Sequence, residues 1–370
     1  MNVTIVGAGI MGLSAAWALT RRGHAVTVLE RGPVPNPVGS SVDEHRLIRY
    51  PYGADDGYCR MVADAYGAWD RLWADVGQSF YVETGTLGLA SGADNWVDQT
   101  AASLTRCSIA HDLLSPGDVA QRWPHIVTDD IASAIYLRSG GFLRTRLIVA
   151  ALADWLRRNG CEIREQTDVV AVFPDRATAR LSSGEEIVAD RLLVAAGPWT
   201  NRLLPHLAAR MTPSRQVVVY LKPPAALAEA WDTMPMVLAI GRDSGLYAVP
   251  SRKSTDGHIP MKVGDHSFSL QGDPDGDRIA RPDEIEHVLR VARQRFRDFP
   301  AYKQDEAKVC FYDVEPQERF IVEPLHERTW AMTGFSGHGF KFGALLGERV
   351  AAALLGKADA AATTRWAAGL

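Results

Sequence analysis

Val3-Thr4-Ile5-Val6-Gly7-Ala8-Gly9-Ile10-Met11-Gly12, running on through Leu13–Leu19 and Gly23 to Ala25-Val26-Thr27-Val28-Leu29-Glu30, decides the fold. Val3–Val6 is a short apolar run of the kind buried on both faces of a parallel sheet. Leu13, Ala15, Ala16 and Leu19 continue it at helical spacing, and Gly23 stops the helix. Ala25–Leu29 is the second strand of a βαβ unit. Gly7, Gly9 and Gly12 permit the tight strand-to-helix turn and let the amides around Ile10 and Met11 approach a pyrophosphate at the helix N-terminus. Glu30, at the end of the second strand, is placed to accept bonds from a ribose hydroxyl, and its charge argues against the 2′-phosphate of NADP. A βα turn without a ligand is the bland alternative, which this complete context disfavours. The motif alone does not separate FAD from NAD.

Outward from this unit, Ile148, Ala151, Leu152, Trp155 and Leu156 share one face of a helix expected over Leu147–Asn159, with Gly160 as its cap. Short strands are expected at Val169–Phe173, Ala177–Leu181 and Glu186–Ala189, and a buried strand at Leu192–Ala196, ending in Gly197-Pro198-Trp199. Thr329–Thr333 is strand-like and Leu345–Leu355 helical. Nucleotide-fold signals thus recur at the start, middle and end of the chain, while the stretches between are richer in Pro, Gly and isolated aromatics. This predicts an α/β protein: a Rossmann-like domain for FAD or NAD of residues 1–85, 141–210 and 310–370, with a mainly antiparallel β-sheet substrate domain (86–140 and 211–309) inserted into it. Ser251–Gly257 is expected to be an exposed hairpin loop.

The chain has 370 residues, 46% of them hydrophobic and 23% charged. That is globular composition, long enough to bury a core without disulfides, and disorder is excluded as its main state. A net charge of −4 without a basic run gives no footprint for nucleic acid or an anionic membrane. No stretch reaches the ~20 apolar residues of a spanning helix. Met1–Ile5 shows no basic leader. The four cysteines, Cys59, Cys107, Cys161 and Cys310, form no CxxC or zinc spacing, so no metal is expected, and a cytoplasmic location fits best.

Two further stretches stand out. Gly39-Ser40-Ser41 leads to His45-Arg46-Leu47-Ile48-Arg49, where Arg46 and Arg49 would share a side if the segment were helical; a solvated basic face explains it equally well. Gly334-Phe335-Ser336-Gly337-His338-Gly339-Phe340-Lys341-Phe342-Gly343 places four glycines in ten residues before an apolar helix, a loop whose amides can face a ligand, such as a reduced flavin ring, closely. A structural turn would hardly need His338 and Lys341 threaded through it. Locally, Cys310 reads as a small buried hydrophobe, and Lys262 and His266 as parts of an ordinary turn.

Together GAGIMG…Glu30, GSS…RLIR, LLVAAGPW and CFY…GFSGHGFKFG resemble the monomeric sarcosine oxidase family of FAD-dependent amine oxidases, within the D-amino-acid-oxidase-like class, over essentially the whole chain. The resemblance implies FAD tethered by a thioether to Cys310, and Lys262 on the far flavin face aiding oxygen activation. It implies Arg49 and Lys341 clamping the substrate carboxylate, and Tyr247, His266 and Tyr312 around the bound amine. Arg46, Leu47, Arg31, Val170, Gly197, Trp199, Ser40, Ser41 and the run Gly337-His338-Gly339-Phe340-Lys341 fall among the expected cofactor contacts. The implied reaction transfers a hydride equivalent from the carbon beside nitrogen to the flavin; the imine hydrolyses and oxygen becomes hydrogen peroxide. The family name implies a monomer whose partners are a small-molecule amine and oxygen.

Departures lie at Val42-Asp43-Glu44-His45, at Gln317-Glu318-Arg319-Phe320, and in a longer loop between Tyr247 and Lys262. They border the substrate pocket in the family and point to an N-alkyl or cyclic amino acid larger than sarcosine. The other readings are a dehydrogenase passing electrons to a carrier, an imine-forming oxidase of a biosynthetic cyclic amine, and a non-catalytic flavoprotein subunit.

Overall fold

Strand β1 (Asn2–Val6) lies between β2 (Ala25–Leu29) and Arg191–Val194, parallel to both, with Ile5 beside Val28 on one side and Leu193 on the other. In the computed structural model, which describes residues 1–92, 94–240, 245–254 and 257–370, these form the centre of a six-stranded sheet. Its order is 321–326, 329–333, 191–194, β1, β2, 162–164, parallel except for the first pair. Helix α1 (Ile10–Thr20) is buried from Ile10 to Leu19. It is apolar all round because it packs between the sheet and the helices Thr145–Arg158 and Gly343–Leu354. Helix α2 (Asp56–Val76), not singled out in the sequence, buries Met61, Val62, Ala65, Ala68, Trp69 and Leu72 on one face and ends at Gly77 with φ +83°.

Among the described residues, a second sheet of eight strands runs in the order 303–314, 212–222, 261–265, 245–249, 236–240, 86–91, 131–137, 112–114. It is antiparallel apart from the 236–240/86–91 pair. One face packs on helix Pro282–Arg295 around Val219, Met261, Val263, Val288 and Ala292. Strand Lys303–Val314 runs unbroken across residue 310, so a division placed there cuts a continuous element. Strand β3 (Arg46–Ile48) pairs with Gly141–Leu143, so the helical option for Arg46 and Arg49 does not apply: the buried Ile48–Gly141 pairing holds this segment extended. Arg252–Ser254 and Gly257–Ile259 pair antiparallel; residues 255 and 256 of the expected loop lie outside the described residues. Among the described residues no helix is long and apolar enough to cross a membrane.

Candidate active site

The carboxyl ends of β1, β2 and Arg191–Val194 open onto a cavity of about 420 Å³. Its wall includes Gly7, Gly9, Ile10, Met11, Glu30, Arg31, Ser40, Ser41, Arg46, Val170, Gly197, Trp199, Gly337, Gly339 and Phe340. Gly7 turns at φ +103°, and a Cβ there would lie 2.4 Å from the Ala195 carbonyl oxygen, so only glycine fits. Gly12 is not part of the wall; it packs behind, against the Gly7 carbonyl. α1 starts at Gly9 with no side-chain cap, although Ser41 Oγ accepts the Ile10 N–H at 2.9 Å. Glu30 is already engaged: its carboxylate accepts from the Ala8 N–H (2.8 Å), the Gly32 N–H (3.0 Å) and Asn36 Nδ2 (2.9 Å). Of its roughly four acceptor positions, one remains for a ribose. Arg31 and the Trp199 indole both bond Asp275, at 2.8 and 2.7 Å, and Val170 stands at the exposed rim.

A smaller cavity of about 90 Å³ shares Arg46, Tyr312, Gly337 and Phe340 with the first. It is lined as well by Leu47, Arg49, Tyr247, Lys262, His266, His338 and Lys341. Leu47, His338 and Lys341, expected among the cofactor contacts, therefore line this second cavity rather than the first. The His338 ring is held there by the Tyr52 hydroxyl (3.0 Å) and the Glu318 carbonyl (3.1 Å).

Arg49 and Lys341 are buried, 8% and 3% exposed. The Arg49 guanidinium lies 4.4 Å from the Tyr52 ring centroid and donates to the Pro51 carbonyl. Lys341 Nζ donates to the Tyr52 hydroxyl and the His338 carbonyl, both at 2.9 Å. Neither cation forms an ion pair among the described residues. Burial, then the Arg49 charge, pushes the Lys341 ammonium well below its usual range, Glu318 opposing. Burial and Arg49 also lower His266 to about 4, leaving its ring neutral at pH 7. Burial raises the phenols of Tyr247 and Tyr312, so both remain hydroxyls there.

Lys262, 1% exposed, comes from strand Met261–Asp265. Its Nζ donates to Asp43 Oδ2 at 3.2 Å and to the His45 carbonyl. Arg46 and the Tyr220 hydroxyl donate to the same Asp43 carboxylate. Asp43 was visible in the sequence only as a departure from a family pattern; an acid three residues before Arg46 was the available signal. Tyr52, which holds both Lys341 and His338, had none. Cys310 pairs with Gln216 across the strands and is half-buried. It is not among the residues lining either cavity, while Gln216 and Tyr312 are. Burial pushes its thiol up, against the opposing charges of Arg46 and Lys262.

Residues 2–353 match the FAD dependent oxidoreductase family DAO. The chain belongs to this family. It is 28% identical to N-methyl-L-tryptophan oxidase of Salmonella typhi, over 96% of this chain and 95% of that protein. It is 27% identical to monomeric sarcosine oxidase of Bacillus sp. (strain NS-129), over 95% and 92%. Glycine oxidase from Bacillus cereus ATCC 14579 superposes with a TM-score of 0.80 at 18% identity, covering 98% of this chain and 97% of that one. The residues present suit the family's FAD: the uncapped first turn of α1 offers amides to a pyrophosphate, and the glycine turn leaves room for it.

Proposed function

We propose that the protein is an FAD-dependent oxidase of an N-substituted or cyclic amino acid. The observation that carries this reading is the pair of buried cations, Arg49 and Lys341, on a cavity that shares four wall residues with the FAD cavity. Two desolvated cations with no carboxylate in ion-pair contact among the described residues are costly unless a ligand supplies the anion. The guanidinium fork suits a carboxylate held bidentately, and Lys341 adds a point charge. His266, neutral at pH 7, and the Tyr247 and Tyr312 hydroxyls can orient the amine by hydrogen bonds without charging it. FAD, when bound, supplies a two-electron acceptor for the carbon–nitrogen bond and returns the electrons to oxygen as hydrogen peroxide. Lys262 places a cation beside the shared wall, where charge delivered to oxygen would be stabilised.

Further parts of the reading are a thioether from Cys310 to the flavin, a division of labour between the two main sheets, and a monomer in a reducing cytoplasm, in keeping with four free cysteines. The deciding experiment is peroxide release by the purified protein against sarcosine, N-methyl amino acids, proline, pipecolate and plain D- and L-amino acids. Turnover confined to N-substituted or cyclic members is expected; silence across the panel, together with failure of every member to bleach the flavin anaerobically, would sink the proposal. Acid-precipitated protein is expected to stay yellow, and Cys310→Ala to release the colour.

A second reading, a dehydrogenase that passes electrons to a carrier, is favoured by one observation: Lys262 is not free but paired with Asp43. Lys262→Met separates the two. Slower air reoxidation is expected for the oxidase, and an unchanged rate would favour the dehydrogenase.

A further inference from the structure

The segment Val42–His45 interrupts the family resemblance, yet it contributes the most heavily bonded carboxylate at the site. Asp43 is 6% exposed. One oxygen accepts from Lys262 and Arg46, the other from the Tyr220 hydroxyl and the Glu44 N–H. Its own backbone is latched in both directions: Thr145 Oγ1 accepts the Asp43 N–H at 3.2 Å and donates to the Asp43 carbonyl at 2.7 Å. Thr145 opens the helix Thr145–Arg158, so this carboxylate is fixed against the core of the first sheet.

We propose that Asp43 is a positioning residue whose carboxylate clamps the Lys262 ammonium and the Arg46 guanidinium into one buried cluster, keeping Lys262 a cation at the wall between the cavities. The inference rests on the oxidase reading for the use of that charge, though not for the clamp itself. Lys262 has three N–H donors; Asp43 and the His45 carbonyl take two, leaving one for the cavity. The cluster carries one negative and two positive charges, a single net cation. Without the carboxylate two like charges would remain in a desolvated site, and the lysine would yield its proton because a guanidinium does not.

The titration behaviour agrees. Burial lowers Lys262 to about 8, with Asp43 opposing the fall and Arg46 adding to it. Burial alone would raise Asp43, but Lys262, Arg46 and the Tyr220 hydrogen bond hold it well below the usual carboxylate range. The other titratable groups facing the cluster stay fixed near neutrality. His45 is lowered to about 3, chiefly by burial, and burial raises Tyr220, Tyr247, Tyr312 and the Cys310 thiol. Between about pH 6 and 9, Lys262 is the member of this set that changes charge.

The test uses flavin-loaded protein with lysines carbon-13 labelled at Cε, and Lys262 assigned by the signal lost in Lys262→Met. A wild-type midpoint near 8 is expected, falling by a unit or more in Asp43→Asn and recovering in part in Asp43→Glu. The alkaline limb of air reoxidation is expected to move down with it, costing on the order of tenfold in rate above the new midpoint, since one pKa unit is a factor of ten in protonated fraction. A wild-type midpoint below 6, which needs no variant to fold, overturns the clamp, as does an unmoved midpoint in folded Asp43→Asn. A midpoint that falls while reoxidation keeps its pH profile leaves the clamp standing and removes the oxygen-side role of Lys262.

Discussion

On the proposed reading, Lys341 is a liability in the free protein and an asset once a carboxylate is bound. Burial and the neighbouring Arg49 charge both work against its ammonium, and its hydrogen bonds go to a phenol and a carbonyl, neither anionic. Lys341→Met should therefore raise the thermal midpoint of ligand-free protein while weakening binding of a plain aliphatic carboxylate. Calorimetry of variant and parent, with and without carboxylate, checks both signs; a lower midpoint without ligand would make Lys341 a structural residue. The pH dependence has a definite direction. A bound carboxylate favours the ammonium that burial disfavours, so the Kd should rise as the pH is raised through the titration of Lys341. Arg49→Lys keeps the charge but loses the fork. Loss of a charge-assisted bond worth about 1.5–3 kcal/mol predicts a KM higher by roughly 10- to 150-fold, with kcat less affected. Arg49 and Lys341 were readable from two motifs nearly 300 residues apart in a chain of 370. The Tyr52 that joins them was not, because a tyrosine after a proline carries no local sign of what the fold brings to it.

Strand Met261–Asp265 shows how an element prepares the site. Gly264 pairs with Tyr247 on the neighbouring strand, and a Cβ at Gly264 would fall 2.4 Å from the Tyr247 ring. The glycine is what lets the phenol lie flat over the sheet and reach the cavity. Gly264→Ala should displace Tyr247 and lower kcat/KM by at least tenfold. Tyr247→Phe in the same background should then add little, because coupled residues are not additive. Additive losses would mean the ring had not moved. The elements legible in advance were those with a short period or a compact apolar run: β1, α1, β2, the helix at 145–158, and the strands Val169–Phe173 and Thr329–Thr333. Helix α2 was not singled out, although Tyr58, Met61, Val62, Ala65, Trp69 and Leu72 are buried at helical spacing along one face. Strand Lys303–Val314 was split at residue 310 because its first half is charged and exposed while its second half is apolar; what keeps it one strand is pairing along its length with Thr212–Lys222, a long-range fact.

At the scale of the molecule, the two main sheets are joined by contacts far apart in sequence. Asp275, beyond the second sheet, takes Arg31, Trp199 and Arg202 at the mouth of the larger cavity. Asp43 similarly joins β3 to Lys262 and Tyr220 of the eight-stranded sheet. No sequence period reports such ties, so the class of the fold was legible and its seams were not. One consequence can be measured on the whole chain. His45 is wholly buried, its ring 5.0 Å from Phe142 and 6.0 Å from Tyr220, with Nε2 against the Pro260 carbonyl. Burial, then the Lys262 charge, lowers it to about 3; His266 and His338 are lowered too, by burial first. In the unfolded chain a histidine takes its proton near 6.5. Between that value and the folded one the unfolded state binds more protons, so stability must fall as the pH falls. His45 alone contributes about 1.4 kcal/mol per pH unit in this window. The depressed Asp43 adds a loss of the same sign only at lower pH, from the ordinary carboxylate value of about 3.9 down through its folded value. Denaturation by urea should therefore show His45→Gln losing about 2 kcal/mol less than the parent between pH 7 and 5, with most of the difference arising below about pH 6.5. Equal slopes would mean that the imidazole is charged in the folded protein, and that the cluster around Lys262 carries one more positive charge than its single carboxylate can hold.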